Sequence, residues 1–322
     1  MIKYILKRIG SSLLTLFLIV TIAFCLLRLM PEEGYFNNYD KMSPTKIKVG
    51  REMLGLNAPM YLQLGRFYKQ IITLDLGVSS RYRVNTPINK IIGPKMLLSL
   101  KMGMLGVGFS LVIGLSLGVI MSKSARSKSR FKLWDKLGSA FVVIIQAVPM
   151  AVYCLFIQIF GTELLNRFFR LPMLFSRENS LTWILPVFSY ALGGISMYAM
   201  WTRRYMNDEA NKDYVLLARA KGVSAGKISR SHIFRNAIVP LIQYIPTSVA
   251  LTLMGSLYVE SRYSIPGMGG LLVDVIKKQD NPMVQALVLI YSALSVAAVL
   301  IGDILMALAD PRISLGKKED VR

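Results

Sequence analysis

Six long apolar stretches constrain the fold of this chain more than any other feature. They carry few or no charges and cover about residues 9–30, 97–121, 137–162, 179–202, 236–259 and 281–308. A hydrocarbon core about 30 Å thick is crossed by roughly 20 apolar residues in a helix, so each stretch is long enough to span a bilayer. Hydrophobic residues make up 53% of the 322 positions, which is more than a soluble domain of this length usually carries. We therefore predict an all-α membrane protein with six transmembrane helices.

The positive charge of the chain predicts its orientation in the membrane. The net charge is +21, but the basic residues lie between apolar blocks rather than on one polar domain. This distribution fits the excess of Lys and Arg in cytosolic loops and does not favour nucleic-acid binding. The short segment 122–136 contains six Lys or Arg residues and gives the sharpest signal. We predict that both termini lie in the cytosol and that the first apolar stretch is a retained anchor rather than a cleaved signal peptide.

This topology divides the chain into four parts. A cytosolic N-terminus and the first transmembrane helix cover 1–30, an outer segment covers 31–96, a five-helix core covers 97–308, and a cytosolic tail covers 309–322. The outer segment is too long to be a plain turn. Ser43 followed by Pro44 has the pattern of a helix start, and apolar residues recur at helical spacing after it. We expect a helical extracytoplasmic lobe that is broken near Gly55 and Pro59.

Motifs for covalent chemistry are missing from the sequence. The single histidine, His232, cannot supply the two histidines of a metalloprotease motif. The run Gly222–Lys227 resembles a phosphate-binding loop, but it has three residues between its glycines and Ile228 where that loop needs Ser or Thr. Cys25 and Cys154 have no nearby Cys or His partner. We therefore expect a chain that is not an enzyme and binds no cofactor or metal itself.

Polar residues inside the predicted spans are candidates for a translocation path or for contacts between helices. The four glutamines are Gln146, Gln158, Gln243 and Gln285. They could face a path or form hydrogen bonds to neighbouring helices. Asp303 lies deeper in the last span, and we predict that it pairs with a basic residue on another helix rather than serving as a proton relay.

Two further patterns concern the span ends and helix packing. Charged residues near predicted span ends are expected to extend their polar heads toward water. They are Arg28, Lys101, Glu163 and Glu260. Gly114 and Gly118 form a GxxxG pattern on the second span, where small residues let two helix backbones approach closely.

The basic loop (residues 203–235) between the fourth and fifth spans is the most informative segment for function. Ala218, Ala220 and Gly222 place small residues on a short predicted helix, so a groove of another protein could approach its backbone. Composition alone also allows a solvated loop whose basic residues follow from the cytosolic orientation.

At these residues the chain resembles the membrane-spanning permease subunits of oligopeptide and dipeptide ABC importers. The basic loop is similar to that family's form of the EAA loop, through Asp213–Ser224 and His232–Pro240. The Glu and first Ala of the general EAA pattern fall on Leu216 and Leu217. Further matching segments, in the same order along the chain, are Tyr4–Arg8, Leu54–Pro59, Asp75–Gly77, Glu260–Gly269 and Asp310–Arg312.

The resemblance implies a type I importer fold in a bacterial cell membrane and a set of partners. These would be a second homologous permease, two cytosolic ATPases that bind ATP and Mg, an extracytoplasmic peptide-binding protein, and the lipid bilayer. The implied ATPase-coupling residues are Tyr214, Ala218, Arg219, Ala220, Lys221, Gly222, Ser224, His232, Arg235, Asn236 and Pro240.

Two other functions share some of these features. An ABC importer for another solute, such as a metal chelate, would carry the same motifs. An autonomous channel or ion-coupled carrier would need paired broken helices with charges at the middle of the membrane, and this pattern is not evident in the sequence.

Overall fold

The computed structural model describes residues 2–127, 132–168 and 172–309. Within these ranges the regular structure is helical, apart from one isolated antiparallel bridge between Val78 and Pro87. The predicted all-α class is therefore confirmed. The tail beyond residue 309, the motif Asp310–Arg312 and the middle of segment 122–136 lie outside the described residues. The α-helices are α1 Ile2–Arg28, α2 Pro44–Met53, α3 Met60–Ile72, α4 Ile88–Ala125, α5 Leu133–Ala147, α6 Met150–Phe156, α7 Thr162–Asn166, α8 Ile184–Ala210, α9 Asp213–Ala220, α10 Ala225–Lys227, α11 Arg235–Ala237, α12 Val239–Met254, α13 Leu257–Arg262, α14 Met268–Lys277 and α15 Asn281–Ala309.

Among the described residues, four helices are long and apolar enough to cross a membrane without interruption. They are α1, α4, α8 and α15. Two further candidate spans each consist of two segments that meet at a bend. The first joins α5 to Met150–Asn166, and the second joins Ala225–Ala237 to Val239–Arg262. The described part of the chain therefore contains four single helices of spanning length, or six spans if each bent pair crosses once, which matches the six predicted stretches.

The bend in the third predicted span, 137–162, is the main departure from the expected layout. Its two helices meet at 109° between Ala147 and Met150. Val148 is extended at φ −86° and ψ 126°, and Pro149 follows it. A proline ring disfavours helical backbone at the preceding residue and offers no N–H, so the helix ends there. This stretch is consequently two helices at an angle rather than one straight span.

Close packing of α4 against α8 depends on glycine. An added Cβ at Gly114 would lie 2.9 Å from the carbonyl oxygen of Ile195, and one at Gly118 would lie 2.7 Å from that of Ala199. The packing role predicted for these two glycines is confirmed. Helix α4 has 38 residues and a length of about 57 Å, so it extends well beyond a 30 Å core.

A buried carboxylate joins the first, fifth and last spans. Arg8 Nη1 lies 3.3 Å from Asp303 Oδ2, and Gln243 Nε2 donates to Asp303 Oδ1 at 2.9 Å. The predicted pairing of Asp303 with a basic residue on another helix is therefore confirmed. The amide of Gln243 adds a second partner, as a buried charge requires.

The outer segment folds into short helices, of which α3 packs on α1. The Ser43 side chain accepts a hydrogen bond from the Lys46 N–H at the start of α2, which confirms the predicted cap. Helix α3 lies along α1, where the rings of Phe24 and Phe67 stack with centroids 5.0 Å apart.

Asp280 ties the outer segment to the start of α15. Its carboxylate accepts hydrogen bonds from Ser79 Oγ at 2.6 Å and from the N–H groups of Tyr82, Arg81 and Met283 at 2.8, 3.0 and 3.2 Å. Burial alone would raise the pKa of Asp280, but these hydrogen bonds outweigh it and hold the pKa below its ordinary value. The ionised carboxylate therefore stabilises this junction.

The buried carboxylate of Glu260 caps the N-terminus of α14. It is 4% exposed, and it accepts hydrogen bonds from Ser99 Oγ and from the N–H of Gly269, both at 2.7 Å. The interpretation of Glu260 as a side chain reaching toward water is therefore wrong, because its carboxylate satisfies the first N–H groups of α14. Lys101 and Glu163 are exposed, in agreement with the prediction, whereas Arg28 departs from it because its Nε and Nη1 atoms are buried.

Candidate functional site: the basic loop and the proposed path

Helix α9 is the central element of the basic loop, and a glycine ends it. The N–H of Gly222 bonds to the carbonyl of Arg219, and the N–H of Val223 bonds to that of Ala218. Gly222 has φ +75°, and an added Cβ there would meet nothing within 4 Å. The left-handed backbone, rather than lack of space, is what favours glycine at this helix end.

One face of α9 is packed inward. Val215 and Ala218, three residues apart, join a buried cluster with Met206 on α8 and with Ile228 and Ile233 in the following turn. Ala218 is only 7% exposed. It therefore contributes to packing beneath the helix and does not belong to the surface that a partner could contact.

Tyr214, His232 and Asn236 come together although they are up to 22 residues apart in sequence. The side chain of Asn236 donates to the Tyr214 hydroxyl at 2.8 Å and to the carbonyl of His232 at 3.1 Å. The same hydroxyl lies 3.1 Å from that carbonyl and also bonds to Glu209 at the end of α8. This network fixes α9 to both α8 and the segment that leads into α12.

The outward face of α9 combines apolar and basic side chains. We call Leu216, Leu217 and Ala220 the leucine face; the two leucines are 51% and 56% exposed, and Ala220 is also exposed. Arg219 and Lys221 are exposed beside it. Adjacent exposed leucines on a basic loop make this face a candidate contact surface for another protein.

Ala220 was among the coupling residues predicted from sequence, but Leu216 and Leu217 were not. The signal for the two leucines was nevertheless present, because Val215 and Ala218 have the spacing of one buried helix face. Leu216 and Leu217 must then point elsewhere.

Three further predicted coupling residues lie after α9 and at the start of α12. Ser224 and Arg235 are exposed, and Pro240 lies in the first turn of α12, where a missing N–H is tolerated. A cavity of about 800 Å³ beside the loop is lined by Lys123, Lys227 and Arg230. These three cations give the surface a charge that complements an acidic partner.

The positive charge continues to the end of α4. Burial lowers the pKa of Arg126, and the nearby charge of Arg219 lowers it further. The charges of Arg126, at the end of α4, and of Arg219, on α9, therefore repel each other, and a partner carboxylate there would relieve that repulsion.

The four candidate path glutamines do not form one site. Gln158 bonds through both ends of its amide to Arg262, and Gln243 bonds to Asp303, so these two join neighbouring helices. Gln146 is exposed, with Nε2 3.7 Å from Met200 Sδ. Gln285 lines a cavity near the outer segment. The role of these residues in a path stays a prediction.

Comparison with known proteins gives a consistent family assignment. Residues 114–315 match the family described as binding-protein-dependent transport system inner membrane component, and residues 1–83 match the N-terminal segment of such membrane components. The chain is 33% identical over 316 residues to the dipeptide transport system permease protein DppB of Lactococcus lactis subsp. cremoris, covering 98% of this chain and 100% of the relative. It is 29% identical over 320 residues to DppB of Bacillus subtilis, covering 99% of this chain and 100% of that relative.

A solved structure shares the fold. A chain of the MetNI methionine ABC transporter, in inward facing conformations, superposes with a TM-score of 0.55 at 15% identity, covering 68% of this chain and 96% of that chain. The predicted type I importer fold and the resemblance to peptide importer permeases are confirmed. The chain therefore belongs to the family of inner membrane components of binding-protein-dependent transport systems.

Proposed function

We propose that the chain is the permease subunit of an ATP-driven importer of dipeptides or oligopeptides. Its full-length relatives from Lactococcus lactis and Bacillus subtilis are named dipeptide transport permeases, and the family depends on a binding protein. In this proposal the chain forms half of a translocation path in the bacterial cell membrane. A second homologous permease forms the other half, and both termini of this chain face the cytosol.

The folded basic loop is the observation that carries the coupling part of the proposal. Two cytosolic ATPases bind ATP and Mg, and one of them grips the leucine face and the basic residues around it. Val215 and Ala218 pack against α8, and Tyr214 and Asn236 connect α9 to the start of α12. A movement of the ATPase is therefore passed to two spans at once.

Transport then requires that the helix bundle switch between two arrangements. Closure of the ATPases on ATP rocks the loop, and α8 and α12 shift as rigid elements between inward-open and outward-open states. The chain supplies binding surfaces and movement, and it performs no covalent chemistry in this scheme.

A bulky substitution on the loop tests the coupling. We expect Gly222→Trp to abolish uptake of a labelled dipeptide, because the indole blocks the approach of the ATPase. Gly222→Ala is the matched control, since it carries the same backbone strain without the bulk. Normal uptake by Gly222→Trp, at normal membrane levels, would remove the loop from the mechanism.

The solute is tested separately with the intact transporter. ATP-dependent accumulation of labelled dipeptide in liposomes, with the binding protein supplied, supports the peptide assignment. Accumulation of a metal chelate without any peptide uptake would contradict it.

A further inference from the structure

A polar cavity lies between the end of α1, helix α3 and the start of α15. It has a volume of about 370 Å³. Its charged lining residues are Arg28, Arg66 and Asp75, and its amides include Gln63 and Gln285. The proposed transport function uses none of the three charged groups.

Arg28 presents unused hydrogen-bond donors in this cavity. Its guanidinium lies over the rings of Phe24 and Tyr35, 5.1 and 5.0 Å from their centroids. The Nε and Nη1 atoms are buried and have no hydrogen-bond partner. Buried cationic donors without partners are costly, so the site favours an anion.

Gln63 presents an unused acceptor in the same cavity. Its Nε2 donates to the carbonyls of Leu56 and Ala58 at 3.1 and 2.8 Å, which fixes the orientation of the amide. The Oε1 atom is buried without a partner. Asp75 adds a carboxylate that accepts from the Gly77 N–H at 3.0 Å. A fitting ligand therefore combines an anion with a hydrogen-bond donor.

An apolar groove continues from this cavity along α1. It has a volume of about 550 Å³ and shares Ile71, Leu76 and Leu289 with the cavity. It then passes Val20 and reaches Leu13. Arg28 and Leu13 are separated by about 22 Å of helix, and half of a hydrocarbon core measures about 15 Å. The cavity thus lies at the depth of lipid headgroups and the groove at the depth of acyl chains.

We propose that the cavity and the groove together bind one phospholipid whose headgroup carries a hydrogen-bond donor. Arg28 and Arg66 hold the phosphate, Gln63 and Asp75 accept from the headgroup hydroxyl or ammonium, and one acyl chain fills the groove. A small free anion would leave the groove unfilled. The bound lipid holds α3 against α1 and α15, and this role does not depend on which solute is transported.

Native mass spectrometry of the full chain, purified with the subunits that accompany it, tests the site. Phosphatidylglycerol and phosphatidylethanolamine should be retained more tightly than phosphatidylcholine, whose headgroup has no donor. Replacing both Arg28 and Arg66 by Gln should lower retention about tenfold or more, the effect of losing charge-assisted hydrogen bonds. Lys69→Gln is the matched control, because Lys69 is exposed on α3 and does not line the cavity.

A second variant separates the lipid from a free anion. Ala293 lines the apolar groove. Ala293→Phe fills the groove, so it should weaken lipid retention and leave the binding of glycerophosphate unchanged. Equal lipid retention by the wild type and the double arginine variant would overturn the proposal. Tight glycerophosphate binding with no effect of Ala293→Phe would assign a small-anion site instead. Loss of a co-purifying subunit from Ala293→Phe would assign the groove to a protein contact.

Discussion

Replacing Leu216 and Leu217 by alanine tests whether the leucine face docks an ATPase. Full burial of a leucine side chain contributes about 1.5–3 kcal/mol. The two leucines are 51% and 56% exposed, so a partner that covers them gains about half of that value from each. Alanine retains part of this contact, and we expect a loss of about 2 kcal/mol. This corresponds to roughly 30-fold weaker ATPase binding.

The assay titrates purified ATPase subunits onto the permease variant in detergent and measures the Kd. Thermal unfolding is recorded in parallel. Because both side chains point outward, the free energy of unfolding should change by no more than about 0.5 kcal/mol. The weaker binding would then reflect a lost contact rather than an unfolded loop.

An adjacent leucine pair elsewhere gives the control. Leu13 and Leu14 are similarly exposed on α1, and their replacement by alanine should leave the Kd for the ATPase unchanged. A Kd within about threefold of wild type for the Leu216 and Leu217 variant would refute the reasoning, because threefold corresponds to less than 1 kcal/mol.

Three further substitutions test the structural elements that position the loop and the spans. Glu260→Gln replaces a buried carboxylate that accepts three hydrogen bonds, and it should lower the free energy of unfolding by about 1–3 kcal/mol. An unchanged thermal midpoint would contradict the capping role of this carboxylate. Asp280→Asn should lower the free energy of unfolding, and the loss should be the same from pH 8 to pH 5. Because the folded-state pKa of Asp280 is lowered, the difference in unfolding free energy between wild type and variant should shrink only as the pH falls below about 4 and through that pKa. A difference that shrinks between pH 8 and pH 5 would contradict this role of the Asp280 carboxylate. Gly118→Leu places a side chain where even an added Cβ would lie 2.7 Å from the Ala199 carbonyl oxygen. The variant should separate α4 from α8 and lower the free energy of unfolding by at least about 1–3 kcal/mol. An equally stable variant would show that the two helices are not closely packed there.

Local sequence patterns predicted the features that depend on neighbouring residues. The apolar stretches predicted the membrane-spanning helices, and Ser43 with Pro44 predicted the start of α2. Gly114 and Gly118 predicted a face of close helix packing. The pairing of Asp303 could be predicted as well, because an unpaired carboxylate within a span is too costly.

The identity of the partner in a distant contact could not be predicted. Glu260 meets Ser99 across 161 positions, so its burial is invisible in the local pattern. Gln158 and Gln243 also find partners far along the chain, at Arg262 and Asp303. Pro149 explains why the third span breaks, but the 109° angle depends on how the two helices pack.

Purification of the tagged chain from its native membrane in mild detergent, with identification of every companion subunit, tests the central claim most directly. The account predicts two ATPase subunits and a second permease, together with peptide transport that requires ATP and a binding protein after reconstitution. A chain that arrives alone and transports a solute in liposomes without ATP, driven by an ion gradient, would contradict it.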